Sequence, residues 1–122
     1  MKTRKAHPEG KSGEDYAAKT LLENGYIIRK RNFSSRSGEI DIIAEKDGII
    51  AFVEVKTRRR GSMVTGAEAV TPAKIKRIIL TAEYYLRISG CDLQPRFDIF
   101  SVVTDSGEIT EHLYLEGAFW KE

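Results

Sequence analysis

Apolar residues recur along this chain in two patterns. Ala17, Ala18 and Leu21 form a short stripe, and Ile75, Ile78, Ile79, Ala82, Tyr85 and Leu86 a longer one, at the spacing of amphipathic helices. Elsewhere they run in short blocks rich in β-branched and aromatic side chains: YIIRKRNF (26–33), GEIDIIA (38–44), IAFVEVKT (50–57), RFDIFSVVT (96–104) and ITEHLYL (109–115). The pattern predicts a first helix over 13–24, with Ser12 as N-cap and Gly25 as stop. Three strands follow. Thr71-Pro72 opens a second helix that Gly90 ends, and one further strand and a short edge strand complete the chain. Residues 58–70 (RRRGSMVTGAEAV), with two glycines and no sustained period, predict a mobile connection. The order α-β-β-β-α-β-(β) predicts an α/β fold, a mixed β-sheet flanked by helices.

The 122 residues suit a single domain with one core, spanning 1–122. No apolar run approaches the roughly 18 residues of a membrane span, so no membrane is expected. The N-terminus MKTRKAHPEGKSGE is basic with no apolar segment behind it. It is therefore not read as a secretory signal, and residues 1–11 are expected to be a flexible basic segment of a cytoplasmic protein. Cys91 is alone, which excludes an internal disulfide and a cysteine-rich zinc site, and His7 and His112 lack metal-ligand spacing. Net charge is only +2, but its distribution is uneven: residues 1–60 hold 14 Lys/Arg against 9 Asp/Glu, residues 61–122 hold 6 against 9. The cationic excess lies in Arg29-Lys30-Arg31, in Arg36, and in Lys56 with Arg58-Arg59-Arg60, a distribution able to grip phosphates.

The candidate chemistry sits in GEIDIIAEKDGIIAFVEVKT (38–57). With Asp47-Gly48 as a two-residue turn, cross-strand partners have numbers summing to 95, so Asp41 faces Glu54 and Glu39 faces Lys56. Opposed residues have Cβ atoms about 4.5–5.5 Å apart, and all four groups leave one face of the sheet. Opposed carboxylates repel, which stability alone does not explain; a divalent cation held between them does. Hard oxygen donors suit Mg²⁺ or Mn²⁺. In the first helix, Glu14 stands three, four and seven residues before the apolar stripe and shares its face. Tyr16, Tyr26, Phe33, Tyr84, Tyr85 and Phe97 read as packing residues rather than base-stacking platforms, and the tail GAFWKE as a segment that packs back on the domain or on a partner subunit.

Asp41 followed by Glu54-Val55-Lys56 fits the D…(D/E)xK signature of restriction-endonuclease-like nucleases. Over nearly the whole chain, GEDYAAKTLLENGY, GEIDIIA, FVEVKTR and AVTPAKIKRIILTAEYYL followed by RFDIFSV resemble the bacterial YraN-type family of predicted endonucleases, which is similar in turn to archaeal Holliday-junction resolvases. Ile40 stands where the wider superfamily often has proline. The resemblance implies the restriction-endonuclease-like fold and metal-dependent hydrolysis of DNA phosphodiesters, on branched DNA in recombination or repair. Asp41 and Glu54 would bind Mg²⁺ or Mn²⁺ together with the Val55 carbonyl. Glu14 would complete the shell through water or help a second ion. Lys56 would contact the attacking water or the scissile phosphate, and Glu39 would support Lys56 by a cross-strand ion pair. Arg36, Thr57, Arg58, Arg59, Arg60, Lys74 and Arg77 are the expected nucleic-acid contacts, positioning phosphates without reading bases. The resemblance also implies a homodimer. Two other readings stay open: a nucleic-acid-binding module with little catalytic role, and a nuclease for RNA or another phosphodiester.

Overall fold

The structure, a computed structural model, describes residues 8–61 and 70–120, and only the backbone of 8–11. The elements are α1 (Pro8–Glu23), β1 (Ile27–Ser35), β2 (Gly38–Lys46), β3 (Ile49–Arg59), α2 (Pro72–Ser89), β4 (Gln94–Asp105) and β5 (Glu108–Phe119). They follow the expected order in a five-stranded sheet, β1-β2-β3-β4-β5. All neighbours are antiparallel except β3 and β4, which α2 joins as a parallel pair.

The helices cover opposite faces. α2 packs Ile78, Ala82 and Tyr85 with Ile43, Ile50, Phe52, Phe97 and Ile99, while α1 packs Ala17, Ala18 and Leu21 with Ile42, Ala44, Ala51, Val53, Phe100 and Val102. Period-two alternation along β3 thus sends Ile50 and Phe52 to one helix, Ala51 and Val53 to the other. A strand buried on both faces needs a nearly continuous apolar run, and Ile50–Val53 supplies it. Among the aromatics, Tyr26, Tyr85 and Phe97 are buried as expected, whereas Tyr84 lies at the surface. Phe119 from the tail packs back on Phe97, with ring centroids 5.4 Å apart.

Helix boundaries follow local chemistry. In α2 the Thr71 side chain accepts the Lys74 N–H, Pro72 opens the helix, and Gly90 closes it in the left-handed region at φ 67. α1 starts five residues earlier than predicted. Pro8 takes the first helical position, where a missing N–H costs nothing, so Ser12 lies inside the helix rather than capping it. Of the segment expected to be flexible, 8–11 is therefore helical, and 1–7 lies outside the described residues. The connection expected over 58–70 is shorter, because β3 continues to Arg59; its middle, 62–69, lies outside the described residues. Strand β5 is longer than predicted and forms a full edge.

Gly13 shows why a residue poor in helix propensity stands inside α1. A Cβ there would meet Thr57 Oγ1 at 2.3 Å and Val102 Cγ2 at 3.1 Å. The bare backbone lets α1 lie directly on β3 at Thr57, and the neighbouring Glu14 reaches the sheet at Arg31 and Asn32 of β1.

Candidate active site

Asp47 and Gly48 both have positive φ (50 and 81), as a two-residue hairpin turn requires. The β2–β3 pairs are Lys46–Ile49 through Ile42–Val53, the predicted register. There the ladder stops. Beyond Ile42, β2 stays with β1, pairing Glu39 with Ser34; beyond Val53, β3 stays with β4 as far as Arg59–Thr104. The two strands part into a fork, so Asp41 and Glu54 do not form the expected opposed pair of a closed ladder. Glu39 is not brought across to Lys56 either: each strand follows its other neighbour.

Asp41 fills the opening of the fork. Its Oδ2 accepts the Val55 N–H at 2.8 Å, replacing the ladder bond that β2 no longer offers. In an extended strand a residue's N–H and C=O leave by the same edge, so the Val55 carbonyl faces the fork too. Apolar packing records a break at the same place. Ile40 and Ile43, three residues apart, both face α2, while Ile42 faces α1. Between the Ile42–Arg31 and Ile40–Phe33 pairs lies Asn32, in the left-handed region at φ 55. Asn tolerates that conformation, and its Nδ2 donates to Glu14 Oε2 at 2.7 Å.

Glu54 is buried, 5% exposed. A lone carboxylate at that depth would be costly, and two ammonium groups meet it: Lys74 Nζ lies 2.9 Å and Lys56 Nζ 3.2 Å from the same oxygen, Oε2. Burial, then the Glu54 charge, raise the Asp41 carboxyl to about 7; Glu14 and Glu39 add to the effect and the Val55 N–H opposes it. Three neighbouring acids thus bear on Asp41 at the fork. For Lys74, burial pulls the ammonium down, and the Glu54 carboxylate more than restores it, leaving the group above its ordinary value.

The other expected site residues are placed unevenly. Glu14 Oε2 is taken by Asn32 and by Arg31 Nε at 3.1 Å, so it borders the fork with its carboxylate tied to β1. Lys74, expected as a nucleic-acid contact, sits in the fork on Glu54. Arg77 packs beside Gly38, where the Arg77 Cβ lies 3.5 Å from the position of an added Gly38 Cβ, next to the turn that carries Arg36; both arginines are exposed. Thr57 is directed at Gly13 of α1. Arg58 is half-buried and Arg59 exposed. Arg60 turns away to the far end of β4 and β5, with Nε 3.2 Å from Asp105 and Nη2 3.2 Å from Glu111.

Among the described residues no group of three or more His, Cys, Asp or Glu side chains could hold a metal ion. A small hard cation does not require one: it keeps several waters and takes one or two carboxylates plus substrate phosphate. Asp41, Glu54 and the Val55 carbonyl are donors of that kind, and the ammonium groups on Glu54 mark it as a carboxylate that draws cations. The residues fit the group that the family resemblance implies. Sequence reasoning missed one cluster on the opposite face, where fully buried Asp98 is held by Arg96, Tyr114 and the Gly117 N–H. The signal was an Arg and an Asp two apart inside an apolar strand, RFDIF.

Comparison with known proteins gives a consistent result. A family model described as "Uncharacterised protein family UPF0102" matches residues 13–102. A UPF0102 protein of Phocaeicola vulgatus is 42% identical over 112 residues, covering 91% of this chain and 91% of its own. One of Symbiobacterium thermophilum is 48% identical over 94 residues, 76% of this chain and 80% of its own. One of Bacteroides fragilis is 40% identical over 105 residues, 85% and 87%.

Proposed function

The chain belongs to the UPF0102 family, the YraN-type group of predicted endonucleases, and from that premise we propose that it is a metal-dependent, structure-selective endonuclease that hydrolyses phosphodiester bonds in branched DNA. The observation that carries the reading is the fork, where β2 and β3 separate so that two mutually repelling carboxylates and two lysines share one opening. Asp41 and Glu54 hold Mg²⁺ or Mn²⁺ there with the Val55 carbonyl, and Glu14 borders the site from α1. When bound, the cation polarises the phosphoryl oxygen and makes its water more acidic. Lys56, fixed beside Glu54 by the rigid strand β3, places positive charge where the phosphate gains negative charge. Arg36 and Arg77 on the α2 side and Arg58 and Arg59 at the end of β3 seat backbone phosphates, which orients the substrate without base reading. No helix among the described residues is long and apolar enough to cross a membrane, and cytoplasmic recombination or repair, with a homodimer meeting the two cleavage points of a four-way junction, is the setting that fits this reading.

A cleavage panel tests it: duplex, single-stranded, flap and four-way-junction DNA, and RNA, each with Mg²⁺, Mn²⁺ or chelator. We expect cutting of branched DNA only with a divalent cation, and its loss by at least about 100-fold in Asp41→Asn, Glu54→Gln and Lys56→Ala, each still folded. One observation favours a second reading, a binding module without turnover: among the described residues no group of three or more His, Cys, Asp or Glu could hold a metal ion. Tight junction binding with no cutting in either metal selects that reading, and preferential cutting of RNA reassigns the substrate.

A further inference from the structure

Lys74 stands where helix energetics alone would not put it. It lies in the first turn of α2, which contains no acidic residue, and a cation there faces the positive end of the helix dipole. Its ammonium is instead accounted for by Glu54 Oε2, 2.9 Å away. That oxygen already has Lys56 at 3.2 Å. The two lysines differ in freedom. The Lys56 side chain is 20% exposed and rises from the middle of the sheet, whereas that of Lys74 is 38% exposed. The Lys74 backbone is pinned, its N–H donating to Thr71 Oγ1 at 3.2 Å, but the four-carbon stem is free to swing.

We propose that Lys74 is a displaceable counter-ion: its ammonium neutralises Glu54 in the metal-free protein, gives up that carboxylate to an entering divalent cation, and passes to a phosphate oxygen of the bound DNA. This rests on the nuclease reading above and adds an order of events to it. A buried Glu54 needs a positive partner at every stage, and a divalent cation beside it repels an ammonium held on the same carboxylate. Lys56 lacks the exposure to leave; Lys74 has it. The lysine therefore guards the site against collapse when empty, weakens cation uptake in the absence of substrate, and strengthens substrate binding once the cation is in place.

The consequence is a pair of effects with opposite signs, which a merely structural residue would not produce. Mn²⁺ binding is measured by titration calorimetry at fixed pH without DNA, for the wild type, Lys74→Met and Lys74→Gln, with circular dichroism as the check on folding. Both variants should bind Mn²⁺ at least about fivefold more tightly than the wild type. Four-way-junction binding is measured in saturating Ca²⁺ and in chelator across a salt series. The variants should lose affinity in Ca²⁺, with a log–log salt slope smaller by about 1, and should match the wild type in chelator. Wild-type Mn²⁺ binding with no gain in either folded variant overturns the inference and leaves the nuclease reading standing. So does an equal loss of DNA affinity with and without cation. Absence of Mn²⁺ uptake in all three proteins removes both.

Discussion

Strands β2 to β4 draw three acids away from open water, Asp98 and Glu54 buried and Asp41 half-buried, and treat them in two ways. Asp98, on the α1 face, is saturated by its own chain. Arg96 Nε lies 2.9 Å from Oδ1, Arg96 Nη2 lies 2.9 Å from Oδ2, the Gly117 N–H donates at 2.9 Å, and the Tyr114 hydroxyl donates to Oδ2. The sheet is shaped to allow this. β5 slips its register opposite Asp98, between the Phe97–Phe119 and Ile99–Leu115 pairs, and Gly117 adopts φ 62 there, which directs its N–H at the carboxylate. Asp41 receives one backbone N–H and three negative neighbours. Glu54 is met by two lysine ammonium groups, both on one oxygen. A buried acid with every oxygen answered belongs to the scaffold. Acids left repelling one another keep capacity for a ligand, and the difference lies in what surrounds them, since all three are carboxylates in strands of one sheet.

The largest expected effect attacks the saturated member. Asp98→Ala leaves Arg96 without its main partner and Tyr114 and Gly117 without an acceptor, and should cost about 3–5 kcal/mol of folding stability in urea titrations. A loss under about 1 kcal/mol would show the network to be no more than surface pairing and end the contrast.

The second effect has the opposite sign. The Asp41 carboxyl titrates near 7 in the folded protein, above its ordinary value, because burial and the Glu54 charge disfavour ionisation. An acid with a raised folded value contributes fully below its unfolded value and loses that contribution as pH rises through about 7. The metal-free wild type should therefore weaken between about pH 4 and pH 8. Asp41→Asn, whose amide oxygen can still accept the Val55 N–H, should be more stable than the wild type by roughly 1–3 kcal/mol at pH 8, with the gap closing toward pH 4. Chelated protein unfolded by urea over that range gives the measurement. A destabilised Asn variant at pH 8 would place Asp41 with Asp98 among the structural acids.

The elements and the hairpin register that carry this contrast were legible in the sequence, the contrast itself was not, and the difference has a physical reason. The Asp47-Gly48 turn fixes the hairpin register, and Thr71, Pro72 and Gly90 fix α2, because each acts through near neighbours in the chain. The fork does not follow from near neighbours. It arises because β2 and β3 each keep a second partner, β1 and β4, and pairing preferences across three strands are not written in the hairpin. One local trace existed: IDII places apolar residues at 40, 42 and 43, so strict alternation holds through Asp41 and breaks at Ile43. The Asp98 network joins Tyr26, Arg96, Tyr114 and Gly117, and sequence spacing gives no distance between such remote positions. Lys74 stands on a flank of α2, outside its apolar stripe. Which sheet residue that flank meets depends on how α2 packs, so its contact with Glu54 required the fold.

The smallest effect tests whether the two regions are energetically separate. Thr71 Oγ1 accepts the Lys74 N–H, so it caps α2 and fixes the turn from which the lysine reaches Glu54. Thr71→Ala should cost about 1 kcal/mol, the usual worth of such a cap. Part of that cost is the loosening of the Lys74–Glu54 contact, which Lys74→Met removes in advance. The double variant Thr71→Ala/Lys74→Met should therefore be destabilised by less than the two single changes combined, by more than about 0.5 kcal/mol. Tyr114→Phe, which removes the hydroxyl from Asp98, shares no partner with Thr71. Thr71→Ala and Tyr114→Phe should then add to within about 0.5 kcal/mol. Urea titrations of the three single and two double variants decide it. Additivity in the first pair would detach the cap from the site, and coupling in the second would mean that the sheet transmits strain between its two faces, so that saturating one acid and leaving the others repelling would be parts of one arrangement rather than two independent solutions.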